Sequence, residues 1–197
     1  MTKKDFPDYY KGIEVKKLED GIVVVNLWKD EKREIYNFVR LMFAYGNLIY
    51  TGDMGEFIFG RNVYNVFTFY KGDEIQPDYW AEKVYCSDTP IREESCDIVE
   101  LEKLVREDVA EYFGEEELSE EHEETISDTF DYGFDPNPVR AYDAIHELYD
   151  ELEVNTDNIG YLIAESQQWN GRYLYACELI QWVSNNLDKW LKDFGIR

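Results

Sequence analysis

The β-branched run Ile-Val-Val-Val-Asn-Leu occupies residues 22–27, between the turn-forming pairs Asp20-Gly21 and Lys29-Asp30. Short runs of this kind bounded by turn residues are typical of β-strands. Further runs follow at 35–43, 48–51 and 56–59, and the last three runs are separated by short glycine-containing turns. Because short turns join antiparallel neighbours, these four runs predict an antiparallel meander near the start of the chain.

The chain beyond the meander has helical periodicity. Apolar residues recur at helical spacing over residues 97–113, where Ser95 or Asp97 can cap the helix. Strands followed by helices predict an α+β fold. We therefore expect a single domain over 1–197, with the meander in 1–61 and a mainly helical part in 62–197. Other predicted helices cover 63–70, 78–84, 120–130, 139–152, 159–166 and 172–194.

The negative charge is concentrated in one part of the chain. The net charge is −23, and residues 86–158 hold 25 acids and only 4 bases. Evenly spread acidity would indicate solubility or a salt-adapted host, whereas a concentrated block indicates a local field directed at something basic. Such a block repels phosphate, so the sequence disfavours direct binding of nucleic acid.

Composition indicates a folded protein of a reducing compartment. The 16 Tyr, 11 Phe and 5 Trp favour a packed core. The three cysteines, Cys86, Cys96 and Cys177, are too few and too scattered for a disulfide framework. No signal peptide is visible at the N-terminus, and no apolar run approaches the roughly 18 residues of a membrane span. We therefore expect a cytoplasmic protein that does not enter a membrane.

No residue pattern predicts a catalytic centre, a metal site or a cofactor. The only histidines are His122 and His146, and no second histidine follows His122 at the spacing of a zinc protease helix. Residues 128–135 partly resemble a calcium loop, but aromatic residues occupy the intervening positions and the loop is too short. No serine or cysteine lies in a nucleophile motif. The sequence favours a binding protein over an enzyme.

The densest charge lies at residues 115–124, which contain seven Glu and no base. Carboxylates at i and i+4 on a helix lie about 6 Å apart along its axis, which is close to the spacing of phosphates along a nucleic-acid strand. Glu116, Glu120 and Glu124 form such a row, so the block can mimic DNA. A solvated helical face is the other interpretation. The candidate partner-binding residues are Glu115, Glu116, Glu117, Glu120, Glu121, Glu123, Glu124, Asp128 and Asp131.

Residues 46–83 contain a Gly-Asp-Met-Gly turn at 52–55, a Phe-rich stretch and the segment Pro77-Asp78-Tyr79-Trp80-Ala81-Glu82-Lys83. These motifs resemble a set of phage and mobile-element proteins with a GDMG…F…R turn and a P-x-YWAEK segment. The resemblance implies a phage-type origin and no particular reaction. A strand follows the turn and no Lys does, so a structural hairpin is favoured over a phosphate loop. The motif residues are Gly52, Asp53, Gly55, Phe59, Arg61, Tyr79, Trp80 and Lys83.

Together these features predict an inhibitor that binds a host protein with a basic, nucleic-acid-binding surface. For a phage-type origin, restriction enzymes and CRISPR effectors are the natural targets, and an anti-restriction or anti-CRISPR protein needs no cofactor. Two alternatives remain open at this stage. One is a small enzyme with its site between the meander and the helix of Tyr79, Trp80, Glu82 and Lys83. The other is a phage assembly factor.

Overall fold

The computed structural model describes residues 5–30, 38–52, 54–60, 66–115, 118–131 and 133–196. The fold is α+β: an antiparallel sheet near the N-terminus is followed by a mostly helical half, as predicted. The chain divides into two compact units, which we name the sheet unit (Met1–Ile91 and Trp169–Arg197) and the helical unit (Arg92–Gln168). Two compact units can still unfold as one domain, so the single domain stays a prediction.

The sheet of the sheet unit is a six-stranded meander in which each strand pairs antiparallel with the next along the chain. Four strands confirm the predicted meander, and the first and last strands were missed. The strands are β1 (Gly12–Lys17), β2 (Val23–Trp28), β3 (Phe38–Ala44), β4 (Asn47–Gly52), β5 (Gly55–Gly60) and β6 (Val84–Ser87).

The prediction that a helix extends through Val84 is wrong. The first three helices are α1 (Phe6–Tyr9), α2 (Val66–Phe69) and α3 (Pro77–Ala81). Helix α3 ends before Val84, which pairs with Phe59 in the sheet. A non-local strand partner therefore overrides the local helical pattern. Helix α2 is shorter than the predicted 63–70, of which residues 63–65 lie outside the described part of the chain.

One face of the sheet packs against the last helix of the chain, which runs over Gly171–Asp193 and is numbered α8 below. Alternate residues of the central strands point to this face because side chains alternate along a strand. Leu41, Tyr50 and Phe57 are fully buried in the same core cluster as Tyr173 and Val183 of α8. The predicted terminal helix over 172–194 is confirmed within one residue at each end.

The helical unit has a separate core formed by four helices. These are α4 (Ile98–Phe113), α5 (Glu120–Phe130), α6 (Pro138–Glu151) and α7 (Ile159–Ser166), and they agree with the predicted helices to within a residue. A short ribbon pairs β7 (Arg92–Cys96) with β8 (Gln167–Trp169). Leu101, Ile126, Ile145 and Ile159 each bury their side chains fully in this second cluster.

Polar caps fix where the helices of the helical unit begin. Asp97 accepts hydrogen bonds from the backbone N–H groups of Val99 and Glu100 at 3.1 and 3.2 Å, which confirms it as the cap of α4. A hydrogen bond from Gln168, together with these N–H groups, lowers the pKa of Asp97. Ser119 caps α5 by accepting from the N–H of His122 at 3.2 Å. The acidic helix therefore begins at Glu120.

The β4–β5 turn requires glycine at both ends. A Cβ on Gly52 would lie 2.6 Å from the carbonyl oxygen of Phe38, and a Cβ on Gly55 would overlap Thr89. Gly55 also has a φ of +111°, a region that residues with a side chain rarely adopt. These contacts give both glycines a structural role, while Asp53 between them lies outside the described residues.

We expect Gly52→Ala and Gly55→Ala each to lower the free energy of unfolding by about 1–3 kcal/mol, since both create overlap and Gly55→Ala adds backbone strain. Gly171→Ala is the matched control, because a Cβ there would meet no heavy atom within 4 Å apart from its chain neighbours and the backbone of its own helix, α8. The measurement is urea unfolding followed by tryptophan fluorescence, because all five Trp lie in the sheet unit. Wild-type midpoints for both turn variants would contradict this structural role.

Candidate functional site

The acidic block of the sequence corresponds to the helical unit. This unit contains 25 acids and 4 bases, a net charge of −21, whereas the sheet unit contains 18 acids and 16 bases, a net charge of −2. The charge is therefore not spread over the protein as a general solubility device. It is confined to one compact set of helices, and this concentrates its field on one part of the molecule.

Three of the four bases in the helical unit are held by internal contacts. Arg106 of α4 contacts Glu102 at 2.7 Å, Glu123 of α5, and the Ser127 hydroxyl at 3.0 Å. Lys103 pairs with Glu100 at 3.0 Å. The third, Arg92, lies 3.5 Å from Glu165 and donates to the carbonyl oxygen of Gln167 at 2.9 Å. These three bases are therefore already paired, and they leave most carboxylates of the unit unneutralised.

Two of the predicted partner-binding residues also have internal roles. Glu123 forms the ion pair with Arg106 that links α5 to α4. Glu115 accepts a hydrogen bond from the N–H of Ser119 at 3.2 Å and lies 3.6 Å from Nδ1 of His122. Sequence spacing could not separate these two from their neighbours, because the groups that they contact depend on tertiary packing.

The other acids of α5 face solvent. Glu120, Glu121, Glu124 and Asp128 are exposed, as is Asp131 just beyond the helix, and none forms an ion pair with another described residue. Three of them, Glu120, Glu124 and Asp128, share one row on the helix with steps of about 6 Å. The predicted members Glu116 and Glu117 lie outside the described residues.

Helices α4 and α6 also carry exposed acids, which the predicted partner-binding residues did not include. Helix α6 carries Asp143, Glu147 and Glu151 at i, i+4 and i+8, and α4 carries Glu107 and Glu111. The signal was present in the sequence as the same four-residue spacing. We name the acidic surface as the exposed carboxylates of these three helices that form no ion pair with a described residue: Glu107, Glu111, Glu120, Glu121, Glu124, Asp128, Asp143, Glu147 and Glu151.

Several of these charges oppose the electrostatics of their own helices. The C-terminal end of a helix carries partial negative charge and is stabilised by cations. Helices α4, α5 and α6 have no base in their last turn, although Glu111, Asp128 and Glu151 lie near these ends. Like charges at i and i+4 add further repulsion. The fold therefore gains no stability from Glu111, Asp128 and Glu151, whereas Glu120 and Glu121 lie in the first turn of α5, where the dipole favours them.

The alternative site beside the sheet contains packed side chains. Trp80 is 3% exposed and packs edge-on against Tyr70 with ring centroids 4.8 Å apart. The ammonium of Lys83 lies 2.9 Å from Glu82 and 4.4 Å from the ring centroid of Tyr79. These contacts account for the segment structurally. Phe59 is buried in the same core, and Arg61 lies outside the described residues.

The described residues contain no group of three or more His, Cys, Asp or Glu side chains placed to hold a metal ion. Within the same residues, no helix is both long enough and apolar enough to cross a membrane. The chain matches no family model, no curated protein and no solved structure. Its function is therefore argued from charge and geometry, and the resemblance to phage proteins stays an expectation.

We expect Arg106→Met to destabilise the helical unit by about 1.5–3 kcal/mol, because it leaves Glu102 and Glu123 facing each other without their shared cation. Lys103→Met is the control and should change stability by less than about 0.5 kcal/mol, since its ion pair is exposed. The opening free energy can be measured from thiol labelling of Cys96, which is 6% exposed in the core of the unit. Equal effects of the two variants would contradict the role of Arg106.

Proposed function

We propose that the acidic surface binds the basic, nucleic-acid-binding surface of another protein and excludes nucleic acid from it. The supporting observation is that one compact unit carries a net charge of −21 and exposes carboxylates with no internal base to neutralise them. A protein that handles nucleic acid presents Lys and Arg at phosphate-contacting positions. Rows of helical carboxylates are complementary to such a surface in both charge and approximate spacing.

A solvated face is the competing interpretation, and the placement of the charges argues against it. Solubility requires charge but does not require acids at the C-terminal ends of three helices, where they oppose the helix dipole. Residues whose local preferences conflict with the fold, such as acids at helix C-terminal ends, are expected at functional sites. Cations supplied by a partner would relieve both the repulsion and the unfavourable dipole contacts.

The proposed mechanism is steric occlusion with electrostatic steering. Long-range attraction between opposite charges accelerates association and weakens as salt screens it. No catalysis and no cofactor are required, so inhibition should be stoichiometric. The resemblance of residues 46–83 to phage and mobile-element proteins favours a host defence protein as the target, for which a restriction enzyme or a CRISPR effector is the natural class.

The partner can be identified by capture from host lysate on the full chain at about 50 mM and about 200 mM salt, the range over which phosphate-type contacts weaken strongly. A specific partner should be enriched at low salt, be lost at high salt and be displaced by duplex DNA. A captured protein that DNA does not displace would contradict mimicry.

A matched pair of triple variants then tests the surface on that partner. E120Q/E124Q/D128N removes the row on α5, and D143N/E147Q/E151Q removes a row of the same composition and spacing on α6. We expect the α5 variant to raise Kd about tenfold to a hundredfold at low salt and to flatten its salt dependence, because each lost pair contributes up to about 1 kcal/mol. The α6 variant should change Kd less, because the densest acidic run of the sequence, residues 115–124, lies in α5 and the segment before it.

Two results would contradict the assignment of the main partner contacts to α5. Equal losses in the two variants would attribute binding to the general field of the unit and not to α5. Wild-type affinity in both variants at both salt concentrations would make the acidic surface a solvated face. Circular dichroism should show the folded state for each variant, since Gln and Asn retain the side-chain shapes.

A further inference from the structure

The helical unit is inserted into the sheet unit at a point where the chain leaves and returns side by side. Ile91 is the last residue of the sheet unit before the insertion, and its carbonyl oxygen accepts a hydrogen bond from the N–H of Asn170 at 2.9 Å. Insertions with adjacent ends leave the structure on either side of them continuous. Opening of the inserted unit therefore does not require the strands of the sheet to separate.

The two units differ in the charge that their cores must offset. Among the described residues, the core cluster of the sheet unit contains 23 buried hydrophobic residues and that of the helical unit contains 14, in proportion to the lengths of the two units. The smaller core must also offset nearly all of the net negative charge of the protein. Self-repulsion of a compact, highly charged state lowers its stability and is reduced by screening.

We infer, in place of the single domain that the sequence predicts, that the helical unit opens separately from the sheet unit and that its stability is limited by its own charge, so that cations stabilise it selectively. The folded state of the helices that carry the acidic surface would then depend on ionic strength and on polycations. This inference goes beyond the proposed function and does not rest on it, because it concerns the free energy of the protein alone.

The chain contains natural reporters for each unit. All five tryptophans lie in the sheet unit, and only Trp169, at the end of β8, borders the helical unit, so their fluorescence follows mainly the sheet unit. Cys96 is buried in the core of the helical unit, and Cys177 is buried in the core of the sheet unit. Burial raises the pKa of the Cys177 thiol to about 12, which further slows its reaction in the folded state. Exposed Cys86 reports the intrinsic labelling rate.

The test labels the thiols of the full-length native protein at about 10 mM and about 1 M NaCl, where the Debye length falls from about 30 Å to about 3 Å. Mass spectrometry of the peptides gives a rate for each cysteine. We expect Cys96 to react faster than Cys177 at low salt and to slow about tenfold at high salt, an increase of about 1.4 kcal/mol in the opening free energy. The labelling rate of Cys177, and the midpoint of urea unfolding followed by tryptophan fluorescence, should change much less.

Spermine added at low salt separates charge neutralisation from the general effect of salt on apolar burial. It should slow Cys96 labelling as NaCl does, at a much lower concentration. Parallel labelling of Cys96 and Cys177 at every salt concentration would show one cooperative domain and overturn the inference. Salt-independent Cys96 labelling, or protection by NaCl but not by spermine, would overturn the inference that charge limits the stability of the helical unit.

Discussion

Repulsion among carboxylates that share one small unit is the constraint on which the rest of the structure depends. The helical unit carries a net charge of −21, and three of its four bases are already paired with its own acids. Arg106 links α4 to α5, and Asp108 accepts hydrogen bonds from Tyr149 and Asn158 at 2.8 and 2.9 Å. With those contacts made, the remaining acids face solvent, where an external cation can neutralise them.

The sheet unit has a different distribution of charge from the helical unit. Its acids and bases nearly balance, and its core is rich in aromatic rings. The loop after α2 is held to α8 by paired hydrogen bonds between Asn185 and the backbone of Gly72, at 3.1 and 2.8 Å, and by Gln181 donating to the carbonyl oxygen of Glu74. These polar groups pair with one another, and the near balance of acids and bases leaves the sheet unit with little net charge.

Local pattern was sufficient to predict the four central strands and the helices of the helical unit, because periodicity and caps such as Asp97 are properties of neighbouring residues. Strand β6 was missed because its pairing is non-local: Val84 follows a helical pattern but pairs with Phe59. Strand β1 pairs locally, with Lys17 opposite Val23, and its short alternation of apolar and charged residues was not recognised as a strand. The charge count located the acidic block, yet it could not separate Glu123, which Arg106 neutralises, from exposed Glu124. That distinction depends on how α4 and α5 pack.

Competition with DNA tests mimicry most directly. A labelled duplex bound to the partner is titrated with the full-length protein at low salt, and anisotropy reports the fraction of duplex that remains bound. The account predicts complete release of the duplex at about one protein per binding site, with no complex containing all three components, because two polyanions cannot occupy one basic surface. A stable ternary complex, or loss of DNA binding at a small fraction of one equivalent, would contradict it.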